Sequence, residues 1–360
     1  MRLGMEKKYW WKLLCIPILF YVIIVGIGMP LSPGIVKMSK ETAKSGETFT
    51  TTVETYNTFF TKAKTVKARL RKDTSLFLKA TEVNVLDDNH VQLTFDIPQQ
   101  LPAEHLSNDF IQFSLDIDND YDGYATIPSK VMLTQVPPSD GLPLTKWRNT
   151  DFGSLSQRGT TFPFRGILFE TIRNTYFHVP LWFAMLFLFI GATWNSFKYL
   201  RTREPDHDLR AEVMTMVGLF FGVLGVVTGM LWAKSTWGTY WTWQEIKLNM
   251  TAIALLIYFA YFVLRNAFDD LEQRARVAAV YNLFAFVAAL ILINVIPRMT
   301  DSLHPGSGGN PAMGGEDMDG TMKMVFYPAI IGWTLLGFWI GSIYYRFRIV
   351  QEKFLEKDYY

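Results

Sequence analysis

Two imidazoles and one aromatic stretch are the parts of this sequence that could do chemistry. The histidines are His90, His105, His178, His207 and His304. His178 lies in Tyr176-Phe177-His178-Val179-Pro180, at the start of an apolar run, and His304 in Ser302-Leu303-His304-Pro305-Gly306-Ser307, just past the end of another. A neutral imidazole is a good ligand for a transition metal, and two can fill both axial positions of an iron held in a flat macrocycle. Residues 232–244 carry four tryptophans and a tyrosine between two apolar runs. Such rings suit a membrane–water boundary, which makes an aromatic belt the plainer reading. They also form a dry floor for a large flat ligand. The plainer reading of either histidine is a capping or hydrogen-bonding group, so placement must decide.

The elements that place them are mostly apolar. The chain of 360 residues is 49% hydrophobic and 15% aromatic with a formal net charge of +2. That balance leans away from an ordinary soluble enzyme, and the charge is too small and scattered for a nucleic-acid partner. Cys15 is the single cysteine. The chain therefore builds no disulfide, zinc cluster or thiol-redox pair of its own, and it lacks the C-x-x-C-H signature of covalent haem attachment. Any haem here would be held by side-chain coordination and packing.

Six runs, 9–29, 179–200, 213–232, 248–264, 277–296 and 324–345, have close to the ~20 residues with which a helix crosses a bilayer. The first is preceded by Lys7 and Lys8 and ends in Gly28-Met29-Pro30-Leu31-Ser32-Pro33 without a small-x-small cleavage pattern, which predicts an uncleaved anchor. Lysine and arginine set the orientation. Fifteen flank one side: Arg2, Lys7, Lys8, Lys12; Lys198, Arg201, Arg203, Arg210; Arg265, Arg274, Arg276; and Arg346, Arg348, Lys353, Lys357. The short opposite connections hold only Lys234, Lys247, Arg298 and Lys323. Both termini are therefore expected in the cytoplasm, and the tryptophan stretch and the Gly-rich segment after Ile296 outside.

Between the first two spans, segments such as Phe49-Thr-Thr-Thr-Val-Glu-Thr-Tyr56 and Val91-Gln-Leu-Thr-Phe95 alternate apolar with polar residues and are separated by turn signals. Roughly seven short strands in a small, immunoglobulin-like sandwich are expected. Asp118-Asn119-Asp120-Tyr121-Asp122-Gly123 matches the first half of a calcium loop, but Ser129 stands at the twelfth position and strands flank it, so a hairpin turn is expected. The predicted architecture is a polytopic α-helical membrane protein with six transmembrane helices and an inserted periplasmic all-β domain. Its parts are an anchor (1–33), the β domain (34–146), a linker and amphipathic return (147–178), a five-helix membrane domain (179–346) and a cytoplasmic tail (347–360).

That topology sorts the histidines. His90, His105 and His207 fall in polar loops and read as solvated, whereas His178 and His304 fall at one depth on the outer face, beside the tryptophans. If the tryptophan stretch is helical, Trp237, Tyr240, Trp241 and Gln244 share a face.

Trp237-Gly238-Thr239-Tyr240-Trp241-Thr242-Trp243-Gln244 resembles the tryptophan-rich (WWD) signature of the CcmC/CcsA superfamily, haem-handling membrane proteins of cytochrome c maturation, and within it CcmC. The two histidine motifs and Asn266-Ala267-Phe268-Asp269-Asp270 resemble further family motifs, in the family's order, over residues 165–310. The resemblance implies haem b at the outer face of a bacterial inner membrane, with His178 and His304 as axial ligands and Trp237, Gly238, Tyr240, Trp241 and Trp243 as platform. It implies delivery to the haem chaperone CcmE with the ABC transporter CcmAB and the small subunit CcmD, hence a carrier rather than an enzyme. Lys234, Arg298, Arg173 and Gln244 are candidate polar or propionate contacts, by location. Residues 306–320 would let His304 move during loading and release. Gln244 stands where the signature usually ends in Asp, with Glu245 the candidate replacement, and Tyr240 stands for a frequent Trp. The β domain has no counterpart in compact family members. The alternatives are a CcsA-like synthase component, a membrane b-type cytochrome, which normally has histidine pairs inside its spans, and a haem-free receptor or transporter subunit.

Overall fold

The computed structural model describes residues 10–137, 147–149, 152–156, 159–300, 302, 304 and 318–357. The chain divides into Met29–Phe169 and a second unit that joins Met1–Gly28 to Glu170–Tyr360.

Among the described residues the first unit is a sandwich of nine strands: β1 (Gly34–Met38), β2 (Thr42–Lys44), β3 (Thr48–Tyr56), β4 (Val66–Arg71), β5 (Phe77–Lys79), β6 (Glu82–Val85), β7 (His90–Asp96), β8 (Phe110–Asn119) and β9 (Gly123–Thr134). They form one sheet in the order β1-β3-β7-β6 and another in the order β2-β9-β8-β4-β5. Burial alternates along β3, as a strand with one covered face requires. Phe49, Val53 and Phe95 of the first sheet meet Leu70, Leu115 and Leu133 of the second in one core. Nine strands replace the expected seven because β2 and β5 have three residues each, too few for a period of two to show. β2 also pairs in parallel with β9, which no hairpin signal announces.

A buried carboxylate is pinned in this domain. Asp116 on β8 is fully buried. Its Oδ2 accepts from Arg69 Nε at 2.9 Å and Arg71 Nε at 2.6 Å, and its Oδ1 from Tyr124 and Thr126 hydroxyls at 2.8 Å each. The loop that joins β8 to β9 is a hairpin turn whose side chains bond backbone amides, of the 59–65 segment and of the loop itself. Asp120 accepts from the Lys64 and Thr65 amides, Asp122 from the Phe59 amide, and Asn119 from those of Tyr121 and Asp122.

The second unit is helical: α1 (Trp10–Gly28), α2 (Thr175–Thr202), α3 (Pro205–Trp237), α4 (Ile246–Arg265), α5 (Leu271–Leu290) and α6 (Gly320–Lys357). All six are long and apolar enough to cross a membrane. With no water in the hydrocarbon, a helix is the form in which a single segment satisfies its own backbone. The chain is therefore a polytopic helical membrane protein with a β domain inserted after its first span. Phe220, Leu256, Val263 and Phe284 are exposed on the bundle, as lipid-facing side chains should be.

Polar ties hold the bundle together. Asn282 of α5 donates to Ser196 of α2 at 3.0 Å and Thr215 of α3 at 3.2 Å, all three buried. Asn266 ends α4, and Asp270 starts α5 by accepting from the Gln273 amide at 2.7 Å, so the Asn266–Asp270 motif is a tight helix–helix turn. Beside it Arg265 makes a two-pronged pair with Asp208 at 2.7 and 2.6 Å and reaches Glu212 at 2.9 Å. α5 leaves its regular pitch at Ile291–Val295, a π turn in which the Ile296 amide bonds to the Ile291 carbonyl, and a 3-10 turn follows at Ile296–Arg298. Pro297, which has no N–H to give, ends the regular ladder there.

Candidate functional site

The seat of His178 is made by backbone. α3 offers Gly225 and Gly229 to α2, and the four-residue spacing of small residues lets the two helices close on each other. A β-carbon on Gly229 would stand 2.7 Å from His178 Cε1, and one on Gly225 would stand 2.8 Å from Trp182 Cε2. His178 and Trp182, also four apart, share the face of α2 that enters this groove. Pro180 lies between them and cannot donate to the Tyr176 carbonyl. Trp333 of α6 does so instead through Nε1, at 3.2 Å.

Hydrogen bonds fix which nitrogen of His178 holds the proton. Nδ1 lies 3.0 Å from the Gly225 carbonyl oxygen and 3.1 Å from Thr228 Oγ1. A carbonyl only accepts, so Nδ1 is the donor and Nε2 keeps its lone pair. Indole N–H only donates, and Trp182 Nε1 gives its proton to Nε2 at 3.3 Å. A ligand histidine whose other nitrogen donates to a carbonyl is the usual arrangement in metal sites, because it fixes ring and tautomer together.

His304 comes from the loop after α5. Its backbone amide donates to Ser302 Oγ at 3.1 Å, and Ser302 donates to Glu245 Oε1 at 2.5 Å. Glu245 is buried and caps α4 by accepting from the Lys247 amide at 3.2 Å, so one carboxylate ties the loop to a helix start. The ring of His304 is walled by Trp232, with centroids 5.6 Å apart, and by Trp237 at 5.8 Å. Its third aromatic neighbour is His178, at 6.4 Å. Burial, aided by the Lys247 ammonium and by His178, pushes the His304 imidazole down to about 3. It is neutral at physiological pH, as a metal ligand must be.

The other residues of the tryptophan stretch are placed differently. The stretch is not one helix: α3 ends at Trp237 because Gly238 turns left-handed, at φ 77°, and α4 begins at Ile246. The shared helical face expected for Trp237, Tyr240, Trp241 and Gln244 therefore does not form. Trp237 alone of the expected platform rings touches a histidine in the described contacts. Trp241 packs against Trp243 at 5.7 Å, and its buried Nε1 has no acceptor among the described residues. Tyr240 and Trp243 are 50% and 77% exposed, so they face outward. Gln244 and Arg298 are exposed as well. Lys234 caps α3 by donating to the Gly238 carbonyl at 2.9 Å, and Arg173 donates to Glu170 at 2.5 Å and to the Gly26 carbonyl at 3.0 Å. His90, His105 and His207 lie beside Asp87, Asp73 and Glu204. Leu303, Pro305 and residues 306–317, most of the Gly-rich arm, are outside the described residues.

The pair fits a haem. Two imidazoles are too few for a closed zinc site, which takes four ligands, but they complete the axial set of a haem iron. Metal–nitrogen bonds of about 2 Å on either side place the two ring centres roughly 6 Å apart, close to the separation found. The orphaned Trp241 N–H suits the same conclusion, since a ligand with acceptor oxygens can take it.

Trp182, Gly225, Thr228 and Gly229 were not singled out by sequence reasoning, and Trp232 was counted in the aromatic stretch but not in the expected platform. The four-residue spacing of the glycines and of the His178/Trp182 pair was the available signal; what it could not give was the register of α2 against α3.

Six helices long and apolar enough to span a membrane, with His178 and His304 side by side against indole rings, define the class: a polytopic helical membrane protein carrying a paired-histidine centre. Residues 167–358 match the family CcmC, Heme exporter protein C, and the chain belongs to that family. It is 31% identical over 167 residues to Heme exporter protein C of Bradyrhizobium diazoefficiens, covering 46% of this chain and 62% of that protein. Against Heme exporter protein C of Escherichia coli K12 it is 27% identical over 167 residues, 46% of this chain and 66% of the relative. A putative cytochrome c biosynthesis ccmC-like mitochondrial protein of Marchantia polymorpha is 30% identical over 112 residues, 31% of this chain and 46% of that protein. The chain thus spans less than two thirds of each of these three relatives.

Proposed function

We propose that this protein binds haem b non-covalently between His178 and His304, at the outer face of a bacterial inner membrane, and hands it to a CcmE-type haem chaperone in cytochrome c maturation. The observation that carries the reading is the pair of imidazoles 6.4 Å apart, with Nε2 of His178 left as the lone-pair nitrogen. The printed function of the relatives, heme export, supports it. The fifteen-to-four bias of Lys and Arg supports the orientation, with both termini cytoplasmic and the β domain periplasmic. CcmAB and CcmD are the partners this reading brings with it. On this reading the chain's own residues bind, orient and shield the ligand.

The test is titration of the purified full chain with haem b, read by absorption. One equivalent should give a low-spin, six-coordinate spectrum, and acid solvent should extract the haem intact. A stable protein that takes up no haem would favour the receptor or transporter reading, and restoration of a strain lacking only CcsA would favour the synthase reading.

The same reading makes Gly229 critical. Gly229→Ala puts a methyl group 2.7 Å from His178 Cε1, so the ring must leave its seat or the helices must part. Haem affinity should fall about 10- to 100-fold, the usual cost of disturbing what orients a ligand. Equilibrium titration checks it; unchanged affinity would show that the ring is not seated against Gly229.

A further inference from the structure

Trp182 belongs to no motif in the sequence, yet its N–H occupies the nitrogen that a metal would use. His178 spends its only proton on the Gly225 carbonyl, so the Nε2 lone pair is the single coordinating position left on that ring. Trp182 Nε1 already donates to it at 3.3 Å. One lone pair serves one partner at a time, so the indole hydrogen bond and a metal bond at Nε2 exclude each other. Trp182 also has somewhere to go. Its ring walls an apolar cavity of about 160 Å³, between α2 and α5, lined also by Phe183, Met185, Phe286, Ala289 and Ile293.

We propose that Trp182 is a positioning residue that caps His178: its indole N–H masks the Nε2 lone pair in the haem-free protein, swings toward the α2/α5 cavity on loading, and returns to drive release. The proposal rests on the reading of His178 as an axial ligand. It gives a carrier what a resident haem protein does not need, an internal competitor for its own ligand. The competitor holds the empty ring in the tautomer and orientation ready for coordination, and it weakens the loaded state by the hydrogen bond forfeited there. A net hydrogen bond corresponds to about a three- to tenfold change in equilibrium.

The experiment uses the full chain with Trp182→Phe, which keeps an aromatic ring and removes the N–H, and Trp182→Leu as a second variant without it. In haem-free protein, acylation of His178 by diethyl pyrocarbonate, mapped by mass spectrometry, should be several-fold faster in both variants. In protein loaded with haem b, transfer to excess apomyoglobin should be about three- to tenfold slower. The sign is decisive, because a residue that merely packed the site would loosen haem when replaced. Equal or faster transfer, or unchanged acylation, overturns the cap. His178→Ala separates the two ideas: if it abolishes the low-spin spectrum while Trp182→Phe alters neither rate, the cap fails and the ligand assignment stands. If His178→Ala keeps a full low-spin spectrum, the ligand assignment itself fails and the cap with it.

Discussion

Replacing either His178 or His304 by Ala is expected to remove the low-spin spectrum of the haem-loaded protein. One remaining imidazole leaves one axial position open, so residual haem should be high-spin and bound more than about 100-fold more weakly, beyond the loss seen when only an orienting neighbour is removed. The double variant should bind none specifically. Both changes should spare the fold. His178 fills a groove whose floor is glycine, and the loop of His304 is tied down through its backbone amide and Ser302, which either substitution leaves in place. Absorption spectra and thermal unfolding of the single and double variants check this together. Either single variant with a full low-spin spectrum and unchanged affinity would sink the assignment of that ligand.

Asp116→Ala should cost the β domain about 3–5 kcal/mol, because it leaves Arg69 and Arg71 facing each other over a buried vacancy. The same carboxylate sets a dependence on acid. Burial pushes its pKa up, but the hydrogen bonds from Arg71, Arg69, Tyr124 and Thr126 outweigh burial and hold it below the ordinary Asp value. A carboxyl whose folded pKa is depressed contributes its full stability above the unfolded pKa of about 3.9 and loses it as pH falls through the lower, folded one. The domain should therefore lose stability below about pH 4, and Asp116→Asn should flatten that part of the profile. Hydrogen exchange at β8 and protease cleavage within residues 29–169 of the full chain report the effect. Wild-type acid sensitivity in Asp116→Asn would assign the titration to another group.

The six spans were legible because the bilayer imposes a length and a composition that no local detail can override. The sandwich was legible wherever strands were long enough to alternate, as in β3 and β7, and illegible at β2 and β5, where three residues show no period. His178 and His304 could be paired because topology puts them at one depth and the family motifs flank both. What the sequence hid is the register of helix against helix. Gly229 meets His178, and Gly225 meets Trp182, only once α2 and α3 have docked, and nothing local to either helix states which turn faces which. The tryptophan stretch misled in a different way. Helical spacing suggested one face, but Gly238 at positive φ ends the helix after Trp237, leaving Trp232 and Trp237 on His304 and turning Tyr240 and Trp243 outward.

The π turn at Ile291–Val295 acts on everything downstream as a phase shift. Each α-helical residue advances the chain by about 100°, and a turn closed by a bond five residues back spends one residue more than its neighbours. The pattern of inward and outward positions set by α5 is thus out of step beyond Ile291, and the exit toward Ser302 and His304 leaves the bundle on a bearing that the α5 pattern alone would not give. The chain's angular bookkeeping is carried by a single surplus residue. A one-residue deletion there would leave the span nearly as long, and would aim the segment that carries the second imidazole at another sector of the bundle.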